Sequence, residues 1–255
     1  MENKAYITWL NNEYTLWQNA LKEAPFHKFK HHPAVIRMIG LTDLHQEFIP
    51  LIEHLDLPWQ QLEATDQIGS PQYTVDINGV KLSGVCLRFI YYANTVLNVI
   101  EKMDSKRLAE IGAGYGGFYS VLALLAAHRN ITIDHYTIFD LPDVLNFQSK
   151  YLRSFAVNDV PLVDNVSFMH SPVLSKFSNI SHDYIMSFYA LGEFDDATKN
   201  SYIENIISNV ARGLIIWNPH SGSSDSLDQL RIHHPNIKVQ PECPLTSPNN
   251  LQVTW

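Results

Sequence analysis

The apolar positions in the first third of the chain recur mostly at helical spacing. A first predicted helix ends near Pro25 and places these apolar residues on one face: Ile7, Leu10, Tyr14, Trp17 and Leu21. The pattern from residue 35 to residue 55 then predicts helices that are broken near Gly40 and Pro50, because glycine and proline interrupt helical geometry.

Residues 73–82 instead alternate between apolar and polar, and Asn78-Gly79 lies at their centre. Asn-Gly between alternating segments is the strongest short signal for a β-hairpin. We therefore predict an N-terminal helical appendage with a hairpin over residues 1–80, serving as a lid or a dimer surface. Residues 81–255 form the main domain in this prediction.

From residue 84 the pattern changes to alternating helices and strands. A strongly apolar helix over 85–103 precedes strand patterns at 107–111, 135–139, 166–169, 183–188 and 213–217. Helix patterns at 115–128, 142–154 and 195–211 lie between them. The order predicts an α/β fold with a mostly parallel sheet. After a polar stretch, NIKVQ and LQVTW are separated only by a loop, so we expect an antiparallel pair at the end of the sheet.

Composition narrows the class of partner. The chain of 255 residues has 18 basic and 26 acidic residues, a formal net charge of -8 that poorly matches nucleic-acid phosphates. Two cysteines give no disulfide framework, and neither a signal peptide nor a membrane-length apolar run is evident. We expect a soluble cytoplasmic protein that binds a small molecule. FHKFKHHP (residues 26–33) is interpreted as a solvated basic turn, and we predict no metal site.

The segment RLAEIGAGYGG (residues 107–117) is the main candidate for binding chemistry. An apolar strand ends there in a turn with four glycines, which lets the backbone approach a ligand closely before a helix begins. Asp140 ends the next predicted strand, where a carboxylate can accept hydrogen bonds from ribose hydroxyls. This pattern leaves NAD and S-adenosylmethionine open. Glu110 favours the second, because it can face an amino group but would repel a pyrophosphate.

The motif EIGAGYG followed by an acid-ended strand resembles the class I S-adenosylmethionine-dependent methyltransferases. More narrowly, LAEIGAGYGG, YTIFDLPDVLNFQSKYL and MSFYALGEFD are similar to the family of putative sugar O-methyltransferases. Over residues 84–255, the resemblance implies a Rossmann-like seven-stranded, mostly parallel sheet with an antiparallel last strand, and S-adenosylmethionine as cofactor.

The resemblance also implies roles for individual residues. Glu110 and the backbone of the glycine turn would hold the methionine portion, Asp140 the ribose, and Leu141 would lie beside the adenine. His170 or Ser171 would lie near the adenine, although Ser171 is equally suited to capping a helix. Asp140 could also cap the helix that begins near Pro142, but its place at the end of the second strand favours ribose binding. The full set of expected cofactor contacts is Glu110, Gly112, Ala113, Gly114, Tyr115, Gly116, Asp140, Leu141, Ser171, Ser187 and Tyr189.

Methyl transfer to a hydroxyl needs a base, and two residues are candidates. Glu193 matches the family pattern after the fourth strand, while Phe188 and Gly192 replace its usual Asn and Ser. Glu193 could instead be a first-turn glutamate favoured by the helix dipole. His220 follows the fifth strand and has a suitable side chain, but a plain surface histidine is the alternative.

The remaining candidates concern the acceptor. Arg88 and Tyr92 on the apolar helix are either packing residues or a wall of the substrate pocket. Asp195 and Asp196 could hold a divalent metal, but no third ligand is evident, so they are interpreted as solvated. The sequence thus predicts an O-methyltransferase for a sugar or sugar-like metabolite, with a homodimer as one expected assembly. The alternatives are an NAD-dependent oxidoreductase and an inactive cofactor-binding module.

Overall fold

A computed structural model of the chain describes residues 4–157, 160–170, 181–218 and 224–255. The described part is an α/β fold in which helices cover a central sheet. The helices are α1 (Lys4–Glu23), α2 (Pro33–Ile39), α3 (Ile49–Ile52), α4 (Trp59–Asp66), α5 (Gly84–Ile100), α6 (Gly117–His128), α7 (Pro142–Leu152), α8 (Ala190–Glu193), α9 (Asp196–Asn205) and α10 (Ser224–His233). The strands are β1 (Val75–Ile77), β2 (Val80–Leu82), β3 (Arg107–Ile111), β4 (His135–Asp140), β5 (Ala156–Val157), β6 (Val160–Pro161), β7 (Val166–His170), β8 (Tyr184–Phe188), β9 (Gly213–Trp217), β10 (Lys238–Pro241) and β11 (Leu251–Thr254).

Seven strands form the central sheet, in the order β10-β11-β9-β8-β3-β4-β7. Neighbouring strands from β9 to β7 are parallel, whereas β11 is antiparallel to both β9 and β10. The expected seven-stranded, mostly parallel sheet with an antiparallel last strand is confirmed. The last strand lies inside the sheet, between β9 and β10, rather than at its edge.

The strand order places a crevice at β3. The chain leaves β3 toward β4 on one side, and later returns through β8 on the other side. Connections that diverge from one strand leave a gap at its carboxyl end, where ligands of open α/β sheets bind. The glycine turn follows β3 directly and therefore lies in this gap.

The N-terminal segment shares a hydrophobic core with the sheet. Trp17 and Phe29 are buried in the same cluster as the core residues of α5 and β3. Phe29 packs edge-on against Phe147 of α7, with ring centroids 4.9 Å apart. Lys22 adds an ion pair to Asp143 at 2.8 Å. The hairpin β1–β2 has the expected antiparallel pairing, with Asn78 and Gly79 both at positive φ in its turn.

Several local expectations are wrong. Lys30 is fully buried, not solvated, and its Nζ lies 3.0 Å from Asp66 Oδ1, so FHKFKHHP is only partly an exposed turn. Pro50 lies in the first turn of α3 and does not break a helix there. The polar stretch after residue 217 contains α10, and a short hairpin, β5–β6, was not expected.

Helix α5 begins at a capping serine, since Ser83 Oγ accepts a hydrogen bond from the Cys86 amide at 3.2 Å. This cap fixes the start of the helix that carries Arg88 and Tyr92. Across the described residues, no helix combines the length and the apolar character needed to cross a membrane.

Candidate functional site

A cavity of about 960 Å³ lies at the carboxyl ends of β3, β4 and β8, beneath the N-terminal helices. Its size falls at the upper end of the usual range for small-molecule sites, roughly 300–1,000 Å³. Helix α1 contributes Tyr14, Trp17 and Gln18 to its wall, and the glycine turn contributes Gly112 and Gly114. The residues of the N-terminal segment and of the sheet domain therefore form one site together.

Three glycines of the turn adopt left-handed backbone conformations, with φ of 71° at Gly112, 57° at Gly114 and 90° at Gly116. A Cβ at Gly112 would lie 2.2 Å from Ala190 Cβ, so this glycine permits close packing of α8. A Cβ at Gly114 would contact only Ile39 Cγ2, at 4.0 Å, beside the cavity. Gly116 caps α6 and does not line the cavity, whereas Ala113 and Tyr115 do.

Glu110 is buried at the end of β3 and lines the cavity. Its Oε2 accepts a hydrogen bond from Tyr136 Oη at 2.7 Å. Burial raises the pKa of Glu110 to about 8; the Tyr136 hydrogen bond opposes this shift, and the charge of Asp140 adds to it. A carboxylate in this state gains most from a cationic ligand, because a nearby positive charge favours its ionised form.

Asp140 ends β4 and faces the same cavity. Its two oxygens accept hydrogen bonds from the Leu141 amide and from Gln148 Nε2, both at 2.8 Å. Gln148 Nε2 also donates to the Gly114 carbonyl at 2.9 Å, which ties Asp140 to the glycine turn. Burial raises the pKa of Asp140 to about 6, although hydrogen bonds from Leu141, Gln148 and Ala113 act to lower it. Asp140 is thus oriented by local donors and keeps acceptor capacity, while Leu141 lines the cavity beside it.

Glu193 also lines the cavity, at the end of α8. Its oxygens accept hydrogen bonds from Tyr14 Oη at 3.1 Å and Asn218 Nδ2 at 3.4 Å. Burial raises the pKa of Glu193 to about 7, and the bonds from Tyr14 and Asn218 limit the increase. A carboxyl group with this pKa can exchange a proton near neutral pH, as a general base requires. The contact with α1 distinguishes it from a solvated first-turn glutamate.

Tyr189 lines the cavity, but Ser187 and Tyr92 are held in the surrounding structure. Ser187 Oγ is fully buried, donates to the Ile111 carbonyl and accepts from the Leu191 amide, so it joins β8 to β3 and α8. Tyr92 Oη donates to Glu242 Oε1 at 2.6 Å. The structure brings Tyr189 to the cavity and places the other two side chains behind its wall.

Glu242 is the centre of a polar cluster that the sequence did not indicate. It accepts hydrogen bonds from Tyr92, Tyr189, Thr246 and Asn250. Burial raises the pKa of Glu242, but these donors outweigh it and leave the pKa below its usual value. The cluster fixes the loop before β11 against the cavity, which Thr246, Ser247 and Asn250 line.

The remaining candidate residues from the sequence have different outcomes in the structure. Asp195 caps α9 by accepting from the Thr198 amide, and Asp196 pairs with Lys199 at 3.1 Å, as expected for structural carboxylates. No group of three potential metal ligands occurs among the described residues. Ser171 and His220 lie outside the described residues. His170 ends β7 beside Asp140 in the sheet register.

Two cavity residues escaped the sequence analysis for a physical reason. Tyr14 lies on the apolar face of α1, so its spacing indicated only packing. Asn218 follows β9, and an asparagine after a strand is by itself typical of a loop. Neither position carries a local signal, because each meets Glu193 only after the chain folds.

Comparison with known proteins gives similarity of fold only. No family model matches the chain, and no curated protein matches it. Among solved structures, the methyltransferase domain of bacterial CtHen1 matches with a TM-score of 0.46 and 12% identity, over 65% of this chain and 96% of that one.

Two further structures are similar at the same level. An O-methyltransferase family protein from Burkholderia thailandensis has a TM-score of 0.43 and 13% identity, covering 65% of this chain and 56% of that one. Magnesium protoporphyrin IX methyltransferase from Synechocystis PCC 6803, with bound SAM, has a TM-score of 0.45 and 10% identity, covering 67% and 79%. Similarity at this level does not identify an activity, so function has to be inferred from the side chains around the cavity.

Proposed function

We propose that this chain is an S-adenosylmethionine-dependent O-methyltransferase that acts on a hydroxyl of a small, sugar-like molecule. The observation that carries the proposal is that Glu110, Asp140 and Glu193 line one cavity. Glu110 and Asp140 suit a methyl donor that carries an ammonium group and a ribose. Glu193 suits the role of general base.

The residues present fit this cofactor. Glu110 has a raised pKa and therefore favours a positively charged group beside it. Asp140 is held by amide donors and can accept bonds from ribose hydroxyls. Gly114 leaves space where a side chain would narrow the cavity. A nicotinamide dinucleotide would instead bring its pyrophosphate toward Glu110, and a nearby anion disfavours the ionised form of this carboxyl group.

When bound, S-adenosylmethionine supplies an electrophilic methyl group for in-line displacement. The chain's own contribution is to hold the acceptor and remove its proton. Glu193 accepts the proton of the acceptor hydroxyl, since its pKa of about 7 leaves a substantial ionised fraction at neutral pH. Tyr14 and Asn218 orient this carboxylate through their hydrogen bonds.

The polar side of the cavity supports a polyhydroxylated acceptor. Asn218, Thr246, Ser247 and Asn250 line it close to Glu193 and Tyr189. Amide and hydroxyl groups can both donate and accept hydrogen bonds, which matches the alternating donors and acceptors of a sugar. His220 remains a second candidate for the base.

Residues 1–80 act as a lid in this proposal. Tyr14, Trp17 and Gln18 of α1 cover the cavity, and Ile39 and Gly40 at the end of α2 lie beside the glycine turn. A cover of this kind excludes water from the reacting groups and strengthens electrostatic interactions inside the site.

Calorimetric titration with S-adenosylhomocysteine and NADH tests the cofactor. We expect S-adenosylhomocysteine to bind and NADH not to bind. Glu110→Gln should weaken the binding about tenfold or more, the range expected for losing a charge-assisted hydrogen bond. Glu193→Gln is the matched control, since it changes another glutamate of the same cavity, and it should leave donor affinity nearly unchanged. Binding of NADH alone would refute the proposal.

A panel of free and phosphorylated hexoses then tests the acceptor, with release of S-adenosylhomocysteine as the readout. We expect turnover with at least one of them and its loss in Glu193→Gln. Turnover that is unaffected in Glu193→Gln would remove the assignment of the base while leaving the donor site intact.

A further inference from the structure

Two arginines line the cavity, and among the described residues only one of them pairs with a carboxylate. Arg37 of α2 pairs with Glu13 of α1, with Nη2 and Oε2 3.1 Å apart. Arg88 of α5 is half-buried and, within the part of the chain that the structure describes, forms no ion pair with a carboxylate. A partly desolvated guanidinium gains strongly from an anion, which it binds through two parallel N–H groups. The cavity thus contains a guanidinium that no carboxylate of the described residues neutralises.

Arg88 is held in place by neutral groups. Its Cζ lies 4.7 Å from the centroid of the Tyr189 ring, and its Nη1 lies 3.5 Å from His45 Nε2. Because a guanidinium only donates, Nε2 of His45 acts as an acceptor, and Nδ1 carries the hydrogen that is donated to Glu47 Oε1 at 3.0 Å. Burial and the charge of Arg88 lower the pKa of His45, which agrees with a neutral imidazole.

His45 adopts a left-handed backbone conformation, with φ of 48°, which is uncommon for a non-glycine residue. The side chain is buried, and Phe48 packs against it edge-on with ring centroids 5.9 Å apart. Strain of this kind persists where surrounding contacts enforce it, commonly at ligand sites.

We propose that Arg88, oriented by His45 and Tyr189, binds an anionic group, a carboxylate or a phosphate, of a ligand in this cavity. The inference rests on the proposed function, in which two molecules meet there. Either the α-carboxylate of the methyl donor or an acidic or phosphorylated acceptor can supply the group.

The remaining charges of the cavity make this position selective. Besides Arg37 and Arg88, five described residues with carboxyl groups line the cavity: Asp43, Glu110, Asp140, Glu193 and Asp195. None of these carboxyl groups attracts an anion, whereas the guanidinium of Arg88 does. Arg88 therefore determines which end of a ligand lies near Tyr189.

The donor arm of the test compares S-adenosylmethionine with its decarboxylated form, which lacks only the carboxylate, by calorimetry on the full chain. If Arg88 holds the donor carboxylate, Arg88→Gln weakens S-adenosylmethionine binding about tenfold to hundredfold and hardly changes binding of the decarboxylated form. Arg37→Gln is the matched control, because it removes a cavity arginine that is already paired. Its effect on both ligands should be equal and small.

The acceptor arm titrates inorganic phosphate at constant ionic strength, with and without saturating S-adenosylhomocysteine. If Arg88 holds an acceptor anion, the wild type binds phosphate, Arg88→Gln loses the binding, and Arg88→Lys retains only part of it. His45→Asn keeps a residue that tolerates positive φ and removes the imidazole, so it should reproduce part of the loss. Thermal unfolding of each variant confirms that it is folded.

The two proposals fail differently. Wild-type protein that binds neither S-adenosylmethionine nor S-adenosylhomocysteine contradicts the proposed function, and the phosphate titration without donor still decides the role of Arg88. Donor binding that Arg88→Gln and Arg88→Lys leave unchanged for both ligands, together with no phosphate binding to the wild type, would overturn the inference about Arg88 alone.

Discussion

Tyr14 Oη donates a hydrogen bond to Glu193 Oε2 at 3.1 Å and so joins two residues that are 179 positions apart in the chain. Helix α1 thereby contacts the proposed base directly. The bond stabilises the ionised form of the carboxyl group and opposes the effect of burial on its pKa. The covering segment and the chemistry of the cavity are coupled through this contact.

The Tyr14→Phe variant should raise the pKa of Glu193 above its value of about 7, by roughly one unit, because a hydrogen bond to a charged group is worth about 1.5 kcal/mol or more. Carbon-13 NMR titration of the glutamate carboxyl groups measures this without an acceptor. Tyr73→Phe removes an exposed hydroxyl and is the control. An unchanged Glu193 titration in Tyr14→Phe would show that the bond is absent in solution.

Donor binding should release protons near pH 7. Free Glu110 has a pKa of about 8 and is mostly protonated there, and a cationic ligand favours its ionised form. Affinity for S-adenosylmethionine should therefore rise as the pH increases toward 8 and level off above the free pKa of about 8. Calorimetry in two buffers of different ionisation enthalpy counts the released protons. Glu110→Gln should release fewer protons than the wild type when it binds the donor. Equal proton release by the two proteins would contradict this role of Glu110.

The same residue should make the unliganded protein less stable at alkaline pH. The folded pKa of about 8 exceeds the usual glutamate pKa of 4.5, so the folded state binds more protons between these values. Its contribution to stability is full below pH 4.5 and is lost as the pH rises through 8. The Tm of Glu110→Gln should rise relative to that of the wild type as the pH increases from 4.5 to 8. A constant difference in Tm from pH 5 to pH 8 would refute the raised pKa.

Gly114→Ala should weaken donor binding in addition to lowering the stability of the fold. The new Cβ has room, with Ile39 Cγ2 at 4.0 Å, but it stands at the cavity wall on a residue with φ of 57°. Gly79→Ala is a matched control, because Gly79 has φ of 79°, has nothing within 4 Å of an added Cβ and lies in the hairpin. Both variants should lose roughly 1–2 kcal/mol of stability through backbone strain.

Only Gly114→Ala should also weaken S-adenosylhomocysteine binding, by about tenfold or more, as expected when a methyl group intrudes on a fitted contact. Equal affinity in the two glycine variants would place the donor away from the glycine turn.

Lys30→Ala should destabilise the fold by roughly 3–5 kcal/mol, because it leaves the buried Asp66 carboxylate without its cation. Lys28→Ala removes an exposed lysine two residues earlier and should cost less than about 0.5 kcal/mol. Chemical denaturation measures both. Similar midpoints for the two variants would show that the N-terminal segment is not anchored through Lys30.

The parts of the fold that the sequence predicted are those with a local physical signal. Strands at 107–111 and 213–217 were predicted to the residue, since each is a short apolar run with polar or turn residues at its ends. The hairpin followed from Asn78-Gly79. Helix α10 was missed because its residues are mostly polar and show no clear apolar face.

The parts of the site that the sequence did not predict depend on contacts between distant residues. Glu110 and Asp140 could be proposed because each follows a strand, and parallel strands bring their carboxyl ends to one edge. The contacts Tyr14–Glu193, Lys30–Asp66 and Tyr189–Glu242 join residues 179, 36 and 53 positions apart. Spacing along the chain cannot indicate such pairs, and only the folded arrangement brings them together.

A crystal structure with S-adenosylhomocysteine bound is the most direct measurement of the central claim. We expect the amino group of the ligand beside Glu110, its ribose hydroxyls within hydrogen-bond distance of Asp140, and its sulfur facing the side of the cavity that holds Glu193. A ligand bound elsewhere, or one whose ribose does not contact Asp140 and whose sulfur faces away from Glu193, would contradict the assignment of this cavity as a methyl-transfer site.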